Sequence, residues 1–450
     1  MAMQSLHWAV VGGGILGMTL ALRLRQHGQR VTLIESSPML GGLAGAWSIG
    51  DVTWDRHYHV TLLSDMHLRG LLVELGLDEE LQWSRTRTGF FTDGRLHSMS
   101  NTLEFLKFPP LGLWDKLRLG WTIWHASRLH DWQSLEQMSA SEWLIRHSGQ
   151  RTYEKIWLPL LRAKLGDNHQ YASASFIWAI IARMYAARRT GYKHEMFGYV
   201  RGGYARVLAR FTAYLQAIGV RLQGGVAVDQ VVRTPEGLGV ECSEGSTETF
   251  DRVVVTTPAP TVISLCPELT AEEKSQLAGV RYQGIVCASM LLDRPLAGYY
   301  VTNITDPGLP FTAVIEMTAL VKPEELGGHH LVYLPRYVVP EDDLFKVPDR
   351  SIEESFLNGL RQIYPDLTRS NIKAFRVSRV RHVLAIATQN YSRNLPRMLT
   401  SVPGLFIVNS AQIVPGTLNV NETIQLANQA GLKLVRHSEA ASANEEKVPC

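Results

Sequence analysis

No run of about 18 consecutive apolar residues occurs in this 450-residue chain, which leaves no candidate for a transmembrane helix. Cysteine is scarce. Cys242, Cys266, Cys287 and Cys450 include no C-x-x-C pair and no zinc-type spacing, which argues against a disulfide framework and a zinc site and suits a reducing compartment. Charge of one sign is also missing: the formal net charge is only +3. A nucleic-acid partner recruited by a global basic field is thereby excluded, and any anion binding must come from local clusters. No catalytic triad or metal-ligand spacing is present. The apolar N-terminus lacks the basic start of a signal peptide, and the expected location is cytoplasmic. What remains is globular in composition, 45% hydrophobic and 19% charged, with a length that suggests two to three domains.

The glycines are where the information lies. Trp8 to Val11 is a short apolar run fit for a buried strand. It breaks into Gly12-Gly13-Gly14-Ile15-Leu16-Gly17, a G-x-G-x-x-G, followed by a helical pattern to Gly28 and a second strand, Val31 to Ile34, ending at Glu35. In such a βαβ unit Gly12 permits the tight turn, Gly14 lets the backbone approach a pyrophosphate, and Gly17 lets helix and strand pack closely. The phosphate then meets the positive end of the helix dipole. Glu35 can accept from ribose hydroxyls and would repel a 2′-phosphate, so the adenosine half suits NAD or FAD and not NADP.

The continuation separates these two. After Glu35 the chain runs Ser36-Ser37-Pro38-Met39-Leu40-Gly41-Gly42-Leu43-Ala44-Gly45, and this second glycine doublet resembles the extended fingerprint of the amine oxidase, phytoene desaturase and protoporphyrinogen oxidase superfamily of flavoproteins. Leu43 departs from it, since many relatives have Arg there. The resemblance covers about residues 7 to 436. It implies FAD as cofactor and an α/β fold, with a discontinuous Rossmann-like FAD-binding domain (1–85, 198–260 and 386–437). A mixed α+β substrate domain (86–197 and 261–385) would contain a helical insert. The small, polar composition of 438–450 reads as a disordered tail. The resemblance further implies that the backbone of Val228 meets the adenine. The strand Gly404 to Val408 would lead to a cofactor-binding turn at Asn409-Ser410, where relatives usually have Gly-Asp. A helix beginning near Val420 and Asn421 would point its N-terminus at the flavin.

Two other stretches carry patterns. Residues Val280 to Ala385 alternate as an antiparallel sheet would, with a helix at Ile352 to Tyr364 between strands. The segment Leu111 to Tyr192 holds seven of the eleven tryptophans and lacks strand alternation. Trp114, Trp121 and Trp124 share one helix face, which reads either as helical core or as an aromatic face for lipid or an apolar substrate.

Flavin chemistry asks the protein for position, electrostatics and exclusion of water. His59, just after the glycine pair, is the catalytic candidate because imidazole titrates near neutral pH. Tyr391 precedes the C-terminal strand and is a candidate to line the flavin. Arg379 and Arg381 share one face of a strand. With Arg336, Arg162 and Lys164, and with Arg183, Arg188 and Arg189 of the insert, they would form a clamp for an anionic small-molecule substrate if they converge. The leading expectation is an oxidoreductase removing hydride from a C–N or C–C bond. Alternatives are a redox-neutral sugar-nucleotide mutase similar to UDP-galactopyranose mutase, and a flavin-binding protein without turnover. The substrate would be small, anionic or lipid-like; peripheral membrane contact stays open, and the sequence does not fix the oligomeric state.

Overall fold

A computed structural model describes residues 5–188 and 196–445; Arg189 and Cys450 lie outside them. Eight strands frame the fold: β1 (His7–Val11), β2 (Arg30–Glu35), β3 (Arg221–Gly224), β4 (Arg252–Val255), β5 (Tyr282–Leu292), β6 (His330–Val338), β7 (Ile372–Ala385) and β8 (Leu405–Ile407). Five of them make a parallel sheet in the order β3-β2-β1-β4-β8. Its central strands are almost continuously apolar because both faces are covered. On one face lie α1 (Ile15–Gln26), α2 (Met66–Leu75) and the C-terminal helix. Met18, Leu20 and Leu22 of α1 are all fully buried, since the sheet lies on one side of this helix and the C-terminal helix on the other. The opposite face packs on a three-stranded antiparallel sheet, Val228–Thr234, Gly237–Cys242 and Thr247–Phe250.

The second large sheet has seven strands. β7, β5 and β6 are antiparallel neighbours, followed by Ala313–Glu316, Val301–Ile304, Thr88–Thr92 and Arg95–Ser98. The Thr88–Ser98 hairpin joins in parallel with Val301–Ile304, so the sheet is mixed and not purely antiparallel. Local alternation in sequence does not reveal a partner so far away along the chain.

Helices α3 (Thr102–Lys107), α4 (Leu113–Ala126), α5 (Ala140–Ser148), α6 (Leu158–Leu165) and α7 (Ala174–Arg188) form the insert around Trp143, Leu144, Trp157, Leu165 and Phe176. α8 (Gly203–Ala217) returns to the parallel sheet. α9 (Asp349–Ile363) covers one face of the mixed sheet, burying Ile352, Phe356 and Leu360 against Val286, Met290 and Leu334. The last helix, α10, spans Val420–Glu445. Residues 438–445 are thus helical and not a disordered tail, because small, helix-tolerant residues here simply extend an amphipathic helix already docked on α1. Among the described residues no helix is long and apolar enough to cross a membrane.

Candidate active site

The glycine turn after β1 is built by steric demands that differ at each position. Gly12 has φ +109°, and a Cβ there would lie 2.4 Å from Thr256 Oγ1. At Gly17 a Cβ would fall 1.9 Å from the Gly12 carbonyl oxygen, so this glycine serves helix packing. Gly14 is different. Its φ of −68° and ψ of 174° suit any residue, and the nearest protein atom to an added Cβ is Gly42 Cα at 3.9 Å. No protein group requires glycine at 14, and the room beside it fits a pyrophosphate running past the N-terminus of α1. The second turn lies alongside: the Gly41 N–H donates to the Gly13 carbonyl at 2.8 Å, and Gly14 and Gly41 form a parallel bridge. Glu35 closes the group at the end of β2, accepting from the Gly13 N–H at 2.6 Å and the Ser37 N–H at 2.8 Å.

Two buried polar atoms at the carboxyl ends of neighbouring strands have no hydrogen-bond partner among the described residues: Thr257 Oγ1 after β4 and Asn409 Nδ2 after β8. Buried polar groups are normally paired, and the crevice at the carboxyl ends of a parallel sheet is where such folds take their ligand. Together with the free space at Gly14, these orphans fit a bound dinucleotide such as FAD. Asn409 Oδ1 accepts from the Ala411 N–H, Ser410 opens a short 3₁₀ turn, and Val420 is the first residue of α10. Val228 begins the strand two residues after Val226, whose N–H donates to the Glu35 carbonyl at 3.0 Å.

Two expected contacts have other work. The Asn421 side chain accepts from the N–H groups of His67 and Leu68 at 2.9 and 3.1 Å, and so caps α2 where Asp65 does not. The Tyr391 hydroxyl, buried, donates to the Ala411 carbonyl at 2.8 Å and pins the Asn409 turn from behind. Both residues thereby support the site's frame. Polar side chains near a helix terminus are taken up by its unpaired backbone groups.

The segment Asp55 to Val60 connects the glycine turns to the mixed sheet, and it does so through His57. His57 Nδ1 is 3.2 Å from the Leu43 carbonyl and Nε2 is 3.0 Å from Ser378 Oγ on β7. Burial, with help from His59 and Arg56, pulls its pKa down to about 3, so the ring is neutral, donating to Leu43 and accepting from Ser378. His59 points elsewhere. It packs on Tyr204 of α8 with ring centroids 4.9 Å apart, and its Nδ1 lies 3.8 Å from Asp55 Oδ2. Asp55 is itself held by the Tyr204 N–H at 2.7 Å.

A polar chain crosses from the helical insert to this loop. Lys164 Nζ of α6 donates to Tyr337 Oη at 2.8 Å and sits 4.2 Å from the ring centroid, and Tyr337 Oη is 2.9 Å from Tyr58 Oη. Burial raises the pKa of Tyr58 far above its ordinary value and that of Tyr337 to about 12, so both phenols stay protonated.

The arginines do not join this group. On β5, Val286 pairs with both Arg336 and Arg379, while Cys287 pairs with Ser378. The period of two sends Arg336 and Arg379 to the α9 face and Ser378 to the His57 face. Arg379 donates to Asp349 at 2.7 Å and to the Val347 carbonyl at 2.6 Å. Arg381 donates to the Pro340 carbonyl and lies over Phe345, and Arg336 lines a surface cleft beside Ser351 and Phe356. Arg162 is exposed, and Arg183 holds Asp65 at 3.0 Å. Among the described residues the expected convergence on one anion does not occur, since two adjacent arginines on one strand face share whichever side that face takes. Sequence reasoning passed over His57, Tyr58, Tyr337 and Ser378, although the first two lie within two residues of His59.

The family model for flavin containing amine oxidoreductases matches residues 17–424. The chain belongs to this family. As a member of the flavin amine oxidoreductases it is an FAD-dependent oxidoreductase. Over 389 residues it is 22% identical to a 15-cis-phytoene desaturase of Narcissus pseudonarcissus, covering 81% of this chain and 67% of that protein. Over 278 residues it is 26% identical to a coproporphyrinogen III oxidase of Mycobacterium bovis, covering 57% of this chain and 60% of that protein. The crystal structure of a reduced UDP-galactopyranose mutase superposes with a TM-score of 0.72 over 96% of both chains at 13% identity, a likeness of fold. FAD, when bound to this flavin amine oxidoreductase, supplies a two-electron acceptor.

Proposed function

We propose that this flavin amine oxidoreductase removes hydride from a C–C or C–N bond of a small, largely apolar substrate. That substrate would sit between the helical insert and the His57 face of the mixed sheet. Residues 1–85, 198–260 and 386–437 would hold FAD through Gly12, Gly14, Gly17, Glu35, Gly41, Gly42, Val228, Asn409, Ser410 and the α10 N-terminus at Val420. In support, the parallel sheet draws β1 and β2 from the first of these segments, β3 and β4 from the second and β8 from the third.

The observation that carries the substrate class is the sidedness of the sheet. The His57 face presents Tyr58, Tyr333, Tyr337 and Cys287, with Lys164 at its edge and Arg376 two residues from Ser378 on the same strand, whereas Arg336, Arg379 and Arg381 lie on the opposite face. Arg376 is already engaged by the Ser48 carbonyl and the Trp47 ring, and aromatic walls with Lys164 at the edge suit a ligand with few polar groups; a nucleoside diphosphate sugar needs a cluster of cations. Lys164, Tyr337 and Tyr58 would orient the substrate's polar end by hydrogen bonds, and the neutral His57 would hold the loop against β7. The buried phenols exclude water around the reacting bond. The test is anaerobic mixing of the FAD-loaded protein with a panel of polyenes, porphyrinogens and amines. Bleaching of the flavin by one of these classes supports the reading, and turnover of a sugar nucleotide without net oxidation would replace it.

A further inference from the structure

Most of the large apolar side chains left exposed among the described residues lie between Leu103 and Trp124. Trp114, Leu117, Trp121 and Trp124 of α4 are 78%, 52%, 49% and 48% exposed, and Leu103 and Leu106 of the neighbouring α3 are 71% and 46% exposed. The inward side of α4 is well packed: Lys116, Leu119, Thr122 and Ala126 are buried. The helix therefore carries two apolar faces, only one of which the fold uses. A contiguous apolar surface of this kind marks an interaction site, and tryptophans on it, with an apolar body and a polar N–H, are the side chains enriched at the membrane–water boundary.

The charges around this surface choose the occupant. Lys107 at the end of α3, and Arg118 and Arg128 on and just after α4, are exposed, and among the described residues none of them has a carboxylate partner. Arg128 lies over the Trp124 ring with its guanidinium 5.4 Å from the centroid. The acids of the same segment are held within the fold, Asp115 also by Arg151 at 3.6 Å. Glu104 accepts from Ser98 Oγ and the Ser100 N–H at 2.6 and 2.7 Å, Asp115 from the Gly112 N–H at 3.1 Å, and Asp131 from the Ser134 N–H at 3.2 Å. Residues 103–128 carry Lys107, Lys116, Arg118 and Arg128 against Glu104 and Asp115, so the net charge of the segment is positive, beside indole rings that stand out from the fold. A bilayer bearing anionic headgroups complements both features at once: the apolar side chains enter the headgroup–acyl boundary and the rim cations meet the phosphates. A second copy of this chain would bring identical cations against them.

We infer that the exposed face of α3 and α4 is a docking surface for an anionic lipid bilayer, on which the enzyme rests peripherally. The test is flotation of the full-length, FAD-loaded protein with vesicles of phosphatidylcholine and with vesicles of an equal mixture of phosphatidylcholine and phosphatidylglycerol. The protein is expected to float with the mixed vesicles and much less with pure phosphatidylcholine. The triple variant Trp114→Ser/Leu117→Ser/Trp121→Ser should lower the bound fraction roughly tenfold or more, with flavin absorbance unchanged. Lys107→Ala/Arg128→Ala should weaken binding to the mixed vesicles and flatten its salt dependence. Wild-type protein that stays at the bottom with both vesicle types overturns the inference, as does a serine variant that floats equally well. A concentration-dependent dimer, seen by light scattering and abolished by the serine variant without any lipid binding, assigns the face to a second copy instead.

Discussion

Ser378 Oγ lies 3.0 Å from His57 Nε2. This contact ties the strand that walls the proposed substrate space to the loop leaving the second glycine turn, whose Leu43 carbonyl meets the other nitrogen of the same ring at 3.2 Å. One neutral imidazole thus fixes the distance between the nucleotide turns and the mixed sheet. Acceptance from Ser378 depends on the ring remaining uncharged, whereas donation to Leu43 does not.

The pH dependence of stability follows. Burial holds the folded pKa of His57 at about 3 against an ordinary 6.5. Between those values the unfolded chain binds a proton that the folded chain refuses, so stability rises with pH across the window and is lost as pH falls through it. The slope is up to ~1.4 kcal/mol per pH unit for one group. His57→Gln keeps a donor and an acceptor without titrating. Urea unfolding at about pH 6 and about pH 4 should show a shallower acid loss in the variant than in the wild type, by roughly one proton's worth. Parallel curves would mean that His57 does not bear the linkage.

Gly14→Val separates ligand space from protein space. A Cβ at this position meets nothing closer than 3.9 Å, so the variant should fold, with circular dichroism and melting like those of the flavin-free wild type. The branched side chain would stand in the pyrophosphate's path, and bound FAD should fall to a small fraction of one per chain. Gly17→Val should fail earlier, at folding, because its Cβ would be 1.9 Å from the Gly12 carbonyl. A Gly14→Val protein that retains its yellow colour would remove this turn from the cofactor site.

Asn421→Ala should cost about 1 kcal/mol of stability, the usual worth of a helix N-cap, through the lost bonds to His67 and Leu68. FAD content should be unchanged. Loss of flavin at unchanged stability would return Asn421 to the cofactor contacts.

Lys164→Met and Tyr337→Phe should each leave FAD content intact and lower kcat/KM by roughly tenfold, the loss of about one orienting hydrogen bond. Arg379→Ala should leave kcat/KM within about twofold and cost ~1 kcal/mol of stability or less, since its partner Asp349 is half exposed. Steady-state kinetics on one accepted substrate decides between the two faces of the sheet.

The nucleotide half of the fold was legible because its residues answer to local rules. A turn that needs glycine at Gly12, a helix that needs it at Gly17 and an acid at the end of β2 all fall within thirty-five residues, where spacing in sequence is spacing in space. The side chosen by the arginines was not legible. Alternation places Arg379 and Arg381 together, but which face of β7 meets α9 is set by Val286, Leu334 and Phe356 packing across the whole sheet. His57 and His59 lie only two residues apart, and the position of Ser378, more than three hundred residues away, distinguishes them. Asn421 was hidden for a similar reason: the helix it caps starts at Met66. The helical spacing of Trp114, Trp121 and Trp124 identified a helix face, while whether that face was inside or outside required the partner surfaces.

The most direct measurement for the central claim is anaerobic spectroscopy of the FAD-loaded enzyme as apolar candidate substrates are added. Hydride removal from a largely apolar molecule predicts that a polyene, porphyrinogen or amine bleaches the flavin in proportion to product formed, and that readmitted acceptor restores the colour. A flavin left oxidised by all three classes, in a protein that once pre-reduced interconverts a sugar nucleotide without consuming acceptor, would contradict it.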